Sequence, residues 1–531
     1  QAADVVRLVH AVEGMPLALD LAAQWVRLLP VAEIVAELLA SPELLASTTS
    51  PLPARERSLG ASFDRSWRLL SALERAGLCG LAWLPGSFDR QMAQQVAGAA
   101  LPILAALMDK SLLRRDGPTR FSIHPLLRQC ALRHADDFDE LAARHARYVA
   151  RWMQAIDPRS LSMDAVEAEW PHIRPAWDWA LAHFDAGVIA AITPALVAYC
   201  ENRGLWGEAV AMLEPAVPAL GGAGDRGRAQ MLLWRGLAIL HYRAGRVTET
   251  ETAARNALRL AQRLGDGKVM LSALNTLGLS RWYRGEFPEA ESFFAHALRR
   301  AEHEGNAAAR ASMLANLALV QKAMGRYEQA LQGFANVIAN ERGEGSMRNI
   351  VSDLNNIANV YRALLRPAEA LAPLHEALAL CDAQGLASSR PFVLVNIGLT
   401  HFDLGERDRA AHWVERALAM SVHAEPHIHA SALVARARLR RLAGETAAAR
   451  HDTEEALEIA THAGAPEVQM LCVAEFGEIL VAEGQREQGA ALLLWAAAQK
   501  LQNRADRDAA KRAVDALDLD PDAVARCAAA L

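Results

Sequence analysis

From residue 230 to residue 500 the chain runs as pairs of amphipathic stretches, each pair divided by a glycine. The dividing residues are Gly245, Gly285, Gly325, Gly405, Gly444 and Gly484, at intervals of 40, 40, 80, 39 and 40 residues. The doubled interval hides a member at Leu365, followed by Arg366 and Pro367, so the turn is expected there without its glycine. Five residues past most turns stands a small residue (Ala290, Ala330, Ala370, Ala410, Ala449), and twelve past most of them another (Ala257, Ala297, Ala377, Ala417, Ala456, Ala496). Between the two lies a larger apolar side chain, as in Phe294, Phe334, Leu374 and Val414. Small residues at fixed places let the two helices of a hairpin approach closely, and the larger one fills the groove beside them. One such hairpin cannot bury its apolar face, whereas stacked neighbours can. The pattern predicts a tandem array of helical hairpins.

These residues resemble the tetratricopeptide repeat, whose pattern is helix, Gly turn, aromatic, Ala, large apolar, Ala. The best copy runs from Asn275 to Ala290 and continues to Phe294 and Ala297, with good copies at Asn316 to Val337 and Asn396 to Ala417. A period near 40 is similar to the long-helix variety of bacterial signal-sensing regulators and kinesin light chain. Gly204, Trp206, Ala209, Leu213 and Ala216 fit a first repeat, so the array is expected to occupy 201–531 with about eight copies.

Upstream, residues 4–28 read as two helices around Glu13-Gly-Met-Pro-Leu-Ala-Leu19, with Gly14 ending the first and Pro16 in the first turn of the second. A helical bundle is expected over 1–50, and Ser47 to Pro53 reads as a Pro/Ser-rich linker. Over 51–138 the pattern is four helices (59–70, 73–84, 89–97, 102–110) and then a hairpin, 111–115 and 120–123, turning at Asp116-Gly117. Helices with a terminal hairpin make a winged helix. Residues 139–200 are helical and carry Trp152, Trp170, Trp177 and Trp179, whose bulk suits a rigid coupling element. The expected fold class is mainly α: a helical bundle and a winged-helix domain with one small β-hairpin, followed by a tetratricopeptide-repeat superhelix.

Several of these stretches resemble the STAND-class signalling ATPases, the NB-ARC group. Gly14-Met-Pro16-Leu-Ala-Leu19 is similar to the Gly-x-Pro-Leu-Ala-Leu signature, in which the proline packs against the adenine of ADP or ATP; the resemblance gives that role to Pro16. The runs from Leu73 to Phe88 and from Leu107 to Leu113 look like that family's winged-helix motifs, and Glu167 to Leu181 like its bridge to the repeats. Ile123-His124-Pro-Leu-Leu-Arg128 stands at the Met-His-Asp position, so His124 is the implied sensor of the nucleotide β-phosphate, with Pro125 in place of the usual Asp. In that family the winged helix is a packing module; an alternative for this copy is a DNA contact through Arg114, Arg115 and Arg120.

Bulk properties narrow the function without naming it. The 531 residues are 52% hydrophobic with mean hydropathy +0.04, enough for packed cores. A net charge of −6 and pI near 6.3 supply no global attraction to nucleic acid or anionic membrane. Six scattered cysteines without CxxC spacing read as reduced thiols, and with no apolar run of spanning length the expected location is cytoplasmic, with no membrane partner. The chain opens at Gln1 directly into an amphipathic helix, so it is expected to be a segment of a longer polypeptide. No phosphate loop, nucleophile elbow or zinc helix occurs, and no catalytic, cofactor or metal site is expected in the chain. ADP or ATP belongs, by the resemblance, to the parent protein, whose ATPase core would lie N-terminal to Gln1.

The binding candidates are on the first helices of the repeats. Asn275, Asn316, Asn355, Asn356, Asn359 and Asn396 recur there, with Arg281, Trp282 and Arg362 a turn further along. An amide both donates and accepts, so a ladder of them would hold the backbone of an extended peptide without demanding its sequence; alternatively, the asparagines bond the neighbouring repeat and set the superhelical pitch. The main expectation is a sensor arm of a bacterial transcription regulator that binds an effector peptide, protein or small molecule, meets nucleic acid only through other domains and oligomerises when activated. A nucleotide-independent scaffold for a protein partner is the second.

Overall fold

The alanines that recur in the sequence pattern are what the fold buries most completely. In the computed structural model, which describes residues 2–11, 19, 22–23, 26, 29–40, 63, 66–134, 138–157, 162–221, 224–344, 347–421, 426–499 and 504–528, Ala257, Ala290, Ala297, Ala330, Ala370, Ala377, Ala410, Ala417, Ala449 and Ala456 are wholly shielded from solvent. The chain forms two compact units, one of residues 1–205 and 212–233, the other of 206–211 and 234–531.

The first unit contains α1 (Ala2–Ala11), α2 (Val31–Ala40), α3 (Ala72–Trp83), β1 (Phe88–Asp89), α4 (Arg90–Ala97), α5 (Leu101–Asp109), β2 (Arg114–Asp116), β3 (Arg120–Ser122), α6 (Pro125–Leu132), α7 (Asp139–Ala155), α8 (Met163–Ala182) and α9 (Ala186–Arg203). Helix α3 starts at a reciprocal cap: Ser71 Oγ accepts from the Glu74 N–H, and the Glu74 carboxylate accepts from the Ser71 N–H at 2.7 Å. The core beneath it is Leu78, Leu81, Phe88, Val96, Leu104 and Leu107. The expected hairpin is present as β2 and β3, but it belongs to a three-stranded antiparallel sheet of order β1-β3-β2, with Phe88 opposite Phe121. The extra strand is two residues long, too short for an alternating pattern, and is held by its pairing with β3. Half of the expected 59–70 helix, the Gly14-Pro16 corner and the 47–53 linker lie outside the described residues.

Helices α10 (Trp206–Leu213), α11 (Ala216–Ala219), α12 (Asp225–Arg243) and α13 (Val247–Leu264) follow, and the repeat hairpins go on to pair α14 (Gly267–Tyr283) with α15 (Phe287–His303), α16 (Ala307–Ala323) with α17 (Tyr327–Glu344), α18 (Met347–Ala363) with α19 (Pro367–Gln384), α20 (Arg390–Asp403) with α21 (Arg407–Ser421), α22 (Pro426–Leu442) with α23 (Thr446–His462) and α24 (Pro466–Ala482) with α25 (Arg486–Ala498), closed by α26 (Arg504–Asp515) and α27 (Pro521–Ala528). Each helix packs mainly on its neighbours in sequence, as expected of a stack whose units contact only adjacent units. Phe294, Phe334, Leu374 and Val414 are buried as the pattern predicts. The reach is tight: a Cβ on Gly278 would stand 2.5 Å from the Phe294 ring, so the first helix needs glycine there.

The turns are left-handed at Gly245, Gly285, Gly325, Gly405, Gly444 and Gly484, with φ between 67° and 87°. Leu365 adopts the same conformation at φ 59°. Its turn also keeps the same bonding: the Arg366 N–H donates to Tyr361 O at 2.9 Å, as the Glu286 N–H does to Arg281 O at 2.9 Å. The geometry of the stack, not the glycine, sets the turn.

Candidate effector groove and coupling residues

The first helices of distant repeats meet across the inside of the array. The Trp282 indole Nε1–H, at the end of α14, donates to Glu467 Oε1 at 3.0 Å, at the start of α24. Both residues lie on first helices of their hairpins, so this is the face the array turns toward itself. Behind Trp282, Tyr242 and Tyr283 meet edge to face at 5.3 Å. Burial, followed by the neighbouring Tyr283, pushes the Tyr242 phenol far above its ordinary pKa, so it stays a neutral hydrogen-bonding group.

The asparagines divide into two kinds. Asn316 Nδ2 donates to Asn275 Oδ1 at 2.8 Å, and Asn396 Nδ2 to Asn355 Oδ1 at 3.0 Å, each bond joining first helices of successive hairpins. Asn355 is fully buried and donates its own amide to Val351 O at 3.0 Å; Asn396 is 4% exposed. These four therefore tie repeat to repeat, the second of the two roles their recurrence suggests. Asn356 and Asn359 are half-buried. Asn359 accepts a long bond from Arg362 at 3.4 Å; among the described residues its amide donor and the side-chain amide of Asn356 have no partner.

The groove arginines are held by acids. Arg281 pairs with Glu286 and with Glu251 at 3.1 Å, and the buried Glu251 also faces Arg255 and Arg284. The Glu286 hydrogen bond is the main reason the Arg281 pKa is raised. Arg362 donates to Asp403 on the next first helix at 2.6 Å. Two further clusters escaped the sequence reading. Asp452, fully buried, takes bonds from Arg436 and Arg440 at 2.8 Å; Glu475, 2% exposed, takes one from Arg441 at 2.6 Å and faces Arg438. The signal for the first was two arginines four apart on one helix face with Asp452 among the small, buried positions of the next helix. Buried and multiply bonded, these carboxylates join α23 and α24 to the arginines of α22.

In the first unit, His124 caps α6: its Nδ1 accepts from the Leu126 N–H at 3.2 Å. Pro16 lies outside the described residues. Arg120, one of the three wing arginines considered for DNA, is turned to the Pro85-Gly86-Ser87 loop. Its guanidinium donates to Ser87 O at 2.6 Å and to Ser87 Oγ at 2.9 Å and pairs with Glu169 of α8. Arg128 donates to Gly86 O at 3.0 Å, and His172 of α8 to Ser87 O at 2.8 Å. Arg114 is committed to Ser122 Oγ at 2.9 Å and Arg115 to Pro118 O. The loop is thus clamped from β3, α6 and the Trp-rich α8, which gives the coupling segment a physical attachment to the helix–sheet module. Behind the clamp, His172 Nδ1 lies 3.1 Å from His145 Nε2, and both rings are fully buried. Burial, with His172 beside it, holds the His145 pKa down to about 3; burial also lowers that of His172.

Among the described residues no three His, Cys, Asp or Glu side chains gather as metal ligands, and no single helix is long and apolar enough to cross a membrane. Comparison with known proteins matches two tetratricopeptide-repeat models, one at residues 228–303 and 269–339, the other at 354–381 and 393–426. A protein of Mycobacterium bovis and one of Mycobacterium tuberculosis, each named an HTH-type transcriptional regulator, are 31% identical over 196 residues, 34% of this chain and 22% of theirs. The match therefore spans about a fifth of the length of these curated relatives. Two solved structures are similar at low identity. A STAND protein with a tetratricopeptide-repeat sensor from Pyrococcus horikoshii has 13% identity and TM-score 0.44, covering 90% of this chain and 71% of that one. The apo quorum sensor NprR from B. thuringiensis has 15% identity and TM-score 0.46, covering 60% and 95%. Buried alanines at period 40, left-handed turns and the matched models agree: residues 228–339, 354–381 and 393–426 are tetratricopeptide repeats.

Proposed function

We propose that this chain is the sensor and coupling arm of a STAND-class regulator of transcription, with an effector peptide, protein or small molecule binding the inner face of the repeats. The observation that carries the reading is the Trp282–Glu467 contact. It marks the first helices as the inward face, on which Asn356 and Asn359 keep uncommitted amide groups. A groove lined by free amides on a stack pinned by buried ion clusters is suited to non-covalent recognition of an extended backbone. The regulatory part is supported by the names of the mycobacterial relatives. The nucleotide part rests on the resemblance of the Pro16 and His124 motifs. In this reading the arm is non-catalytic and works in the cytoplasm. The ATPase core that binds ADP or ATP is N-terminal to Gln1, and effector binding shifts the clamped helix–sheet module, permitting nucleotide exchange and oligomerisation.

The nucleotide coupling is tested in the parent polypeptide by measuring ADP retention in Pro16→Ala and His124→Ala. A changed release rate in either supports the coupling. Unchanged ADP affinity in both removes it and leaves a repeat scaffold that docks a partner.

A further inference from the structure

Helix α7 presents Arg144, Arg147 and Arg151 along one face, and that face forms one wall of a cleft of about 450 Å³ closed by Gln95 and by the start of α9. From this we infer a binding site for a small ligand carrying two or more phosphate groups. The positions are three and four residues apart, so the three guanidinium groups stand in a row about 10 Å long. Like charges at this spacing repel one another, which disfavours the arrangement unless an anion is shared between them.

Elsewhere in the chain, arginine clusters face carboxylates, as at Glu251, Asp452 and Glu475. Among the described residues no ion pair engages any of the three; Arg151 donates to Gln95 Oε1 at 3.1 Å. That bond leaves the Gln95 amide N–H₂ as a further donor. The one acid in the lining, Asp185, is engaged through Oδ1 with the Val188 N–H at 3.0 Å as the cap of α9. A guanidinium fork matches two phosphate oxygens at once, and several in a row select a chain of phosphates over a single one. Ala150, Val188 and Ala191 give the cleft an apolar floor that would cover the ligand's carbon atoms. The volume lies in the range of small-molecule sites.

The test is calorimetric titration of the full 531-residue chain with inorganic tripolyphosphate, and with orthophosphate for comparison, at low and high salt. The site predicts saturable binding of tripolyphosphate, tighter than orthophosphate and weakened by salt. It also predicts at least about a tenfold loss of affinity in Arg144→Gln/Arg147→Gln. That double variant lies on an exposed surface, and an unchanged circular dichroism spectrum shows that it folds. Arg259→Gln, exposed on the repeats, should bind as the parent does. No heat from tripolyphosphate, or equal affinity in the double variant, overturns the proposal. So does saturable binding of a single-stranded oligonucleotide without any of tripolyphosphate, which would make the row of arginines a contact for nucleic acid.

Discussion

The Trp282 indole and the Glu467 carboxylate are hydrogen-bonded at 3.0 Å although 185 residues separate them in the chain. It brings the start of α24 against the end of α14, so this pair reports how far the stack curls. Because Glu467 is exposed, the bond contributes at most about 1 kcal/mol and acts as a marker more than a clamp. In a ¹⁵N-indole spectrum of the chain's 12 tryptophans, Glu467→Ala should move one Nε1–H resonance, and Trp282→Phe should delete that same resonance. Resonances untouched by Glu467→Ala would mean that the two ends of the curl do not meet.

Asn355 and Asn396 are buried together and bonded, so truncating one leaves an amide of the other without a partner. Asn355→Ala should cost about 1–3 kcal/mol, Asn396→Ala a similar amount, and the double variant clearly less than the sum. Urea unfolding of the four proteins in a double-mutant cycle measures this. Strict additivity would show that the bond does not hold the two repeats together.

Leu365 holds a left-handed turn with a branched side chain 75% exposed to solvent. Leucine at that φ costs roughly 1–2 kcal/mol, and glycine removes the strain at a smaller entropic cost. Leu365→Gly is therefore expected to raise the urea midpoint by an amount equivalent to about 0.5–1 kcal/mol. A lower midpoint would mean that the leucine contributes packing that its exposure does not reveal.

The His145–His172 pair gives the first unit a pH dependence of definite sign. With the His145 pKa at about 3 in the fold and about 6.5 unfolded, the unfolded chain binds the proton first. The stability contribution is complete above pH 6.5 and is lost as pH falls toward 3, by roughly 2 kcal/mol at pH 5 from His145 alone; His172 acts in the same direction. Trp83, edge-on to His145 at 5.1 Å, is a local fluorescent reporter. Urea midpoints followed through tryptophan emission should drop between pH 7 and pH 5. A midpoint that is flat over this range would contradict the buried, neutral pair.

What could be read from the chain was whatever repeats or is local. The period near 40, the alanine positions and even the glycine-free turn at Leu365 follow from steric needs that recur in each hairpin, so spacing reveals them. Strand β1 did not, because two residues carry no alternation and the strand exists only through pairing with β3. The asparagine ladder was legible as a recurrence but not as two bonded pairs. Which amide reaches which depends on the rotation between hairpins, and a one-residue change of offset exchanges a groove position for a contact between repeats. Arg120 looked like a free wing cation because its partners, Ser87 and Glu169, lie 33 and 49 residues away.

The most direct test of the sensor reading is the affinity of a library-selected peptide for this chain and for Asn356→Ala/Asn359→Ala. If the inner face is the recognition surface, peptides enriched on the parent chain should lose at least about tenfold in affinity to the double variant. The same peptides should bind Arg259→Gln, altered outside the groove, as tightly as the parent. Equal affinity for the double variant and the parent would contradict the account, because the ligand would then be held away from the face that Trp282 and Glu467 mark as the inside of the array.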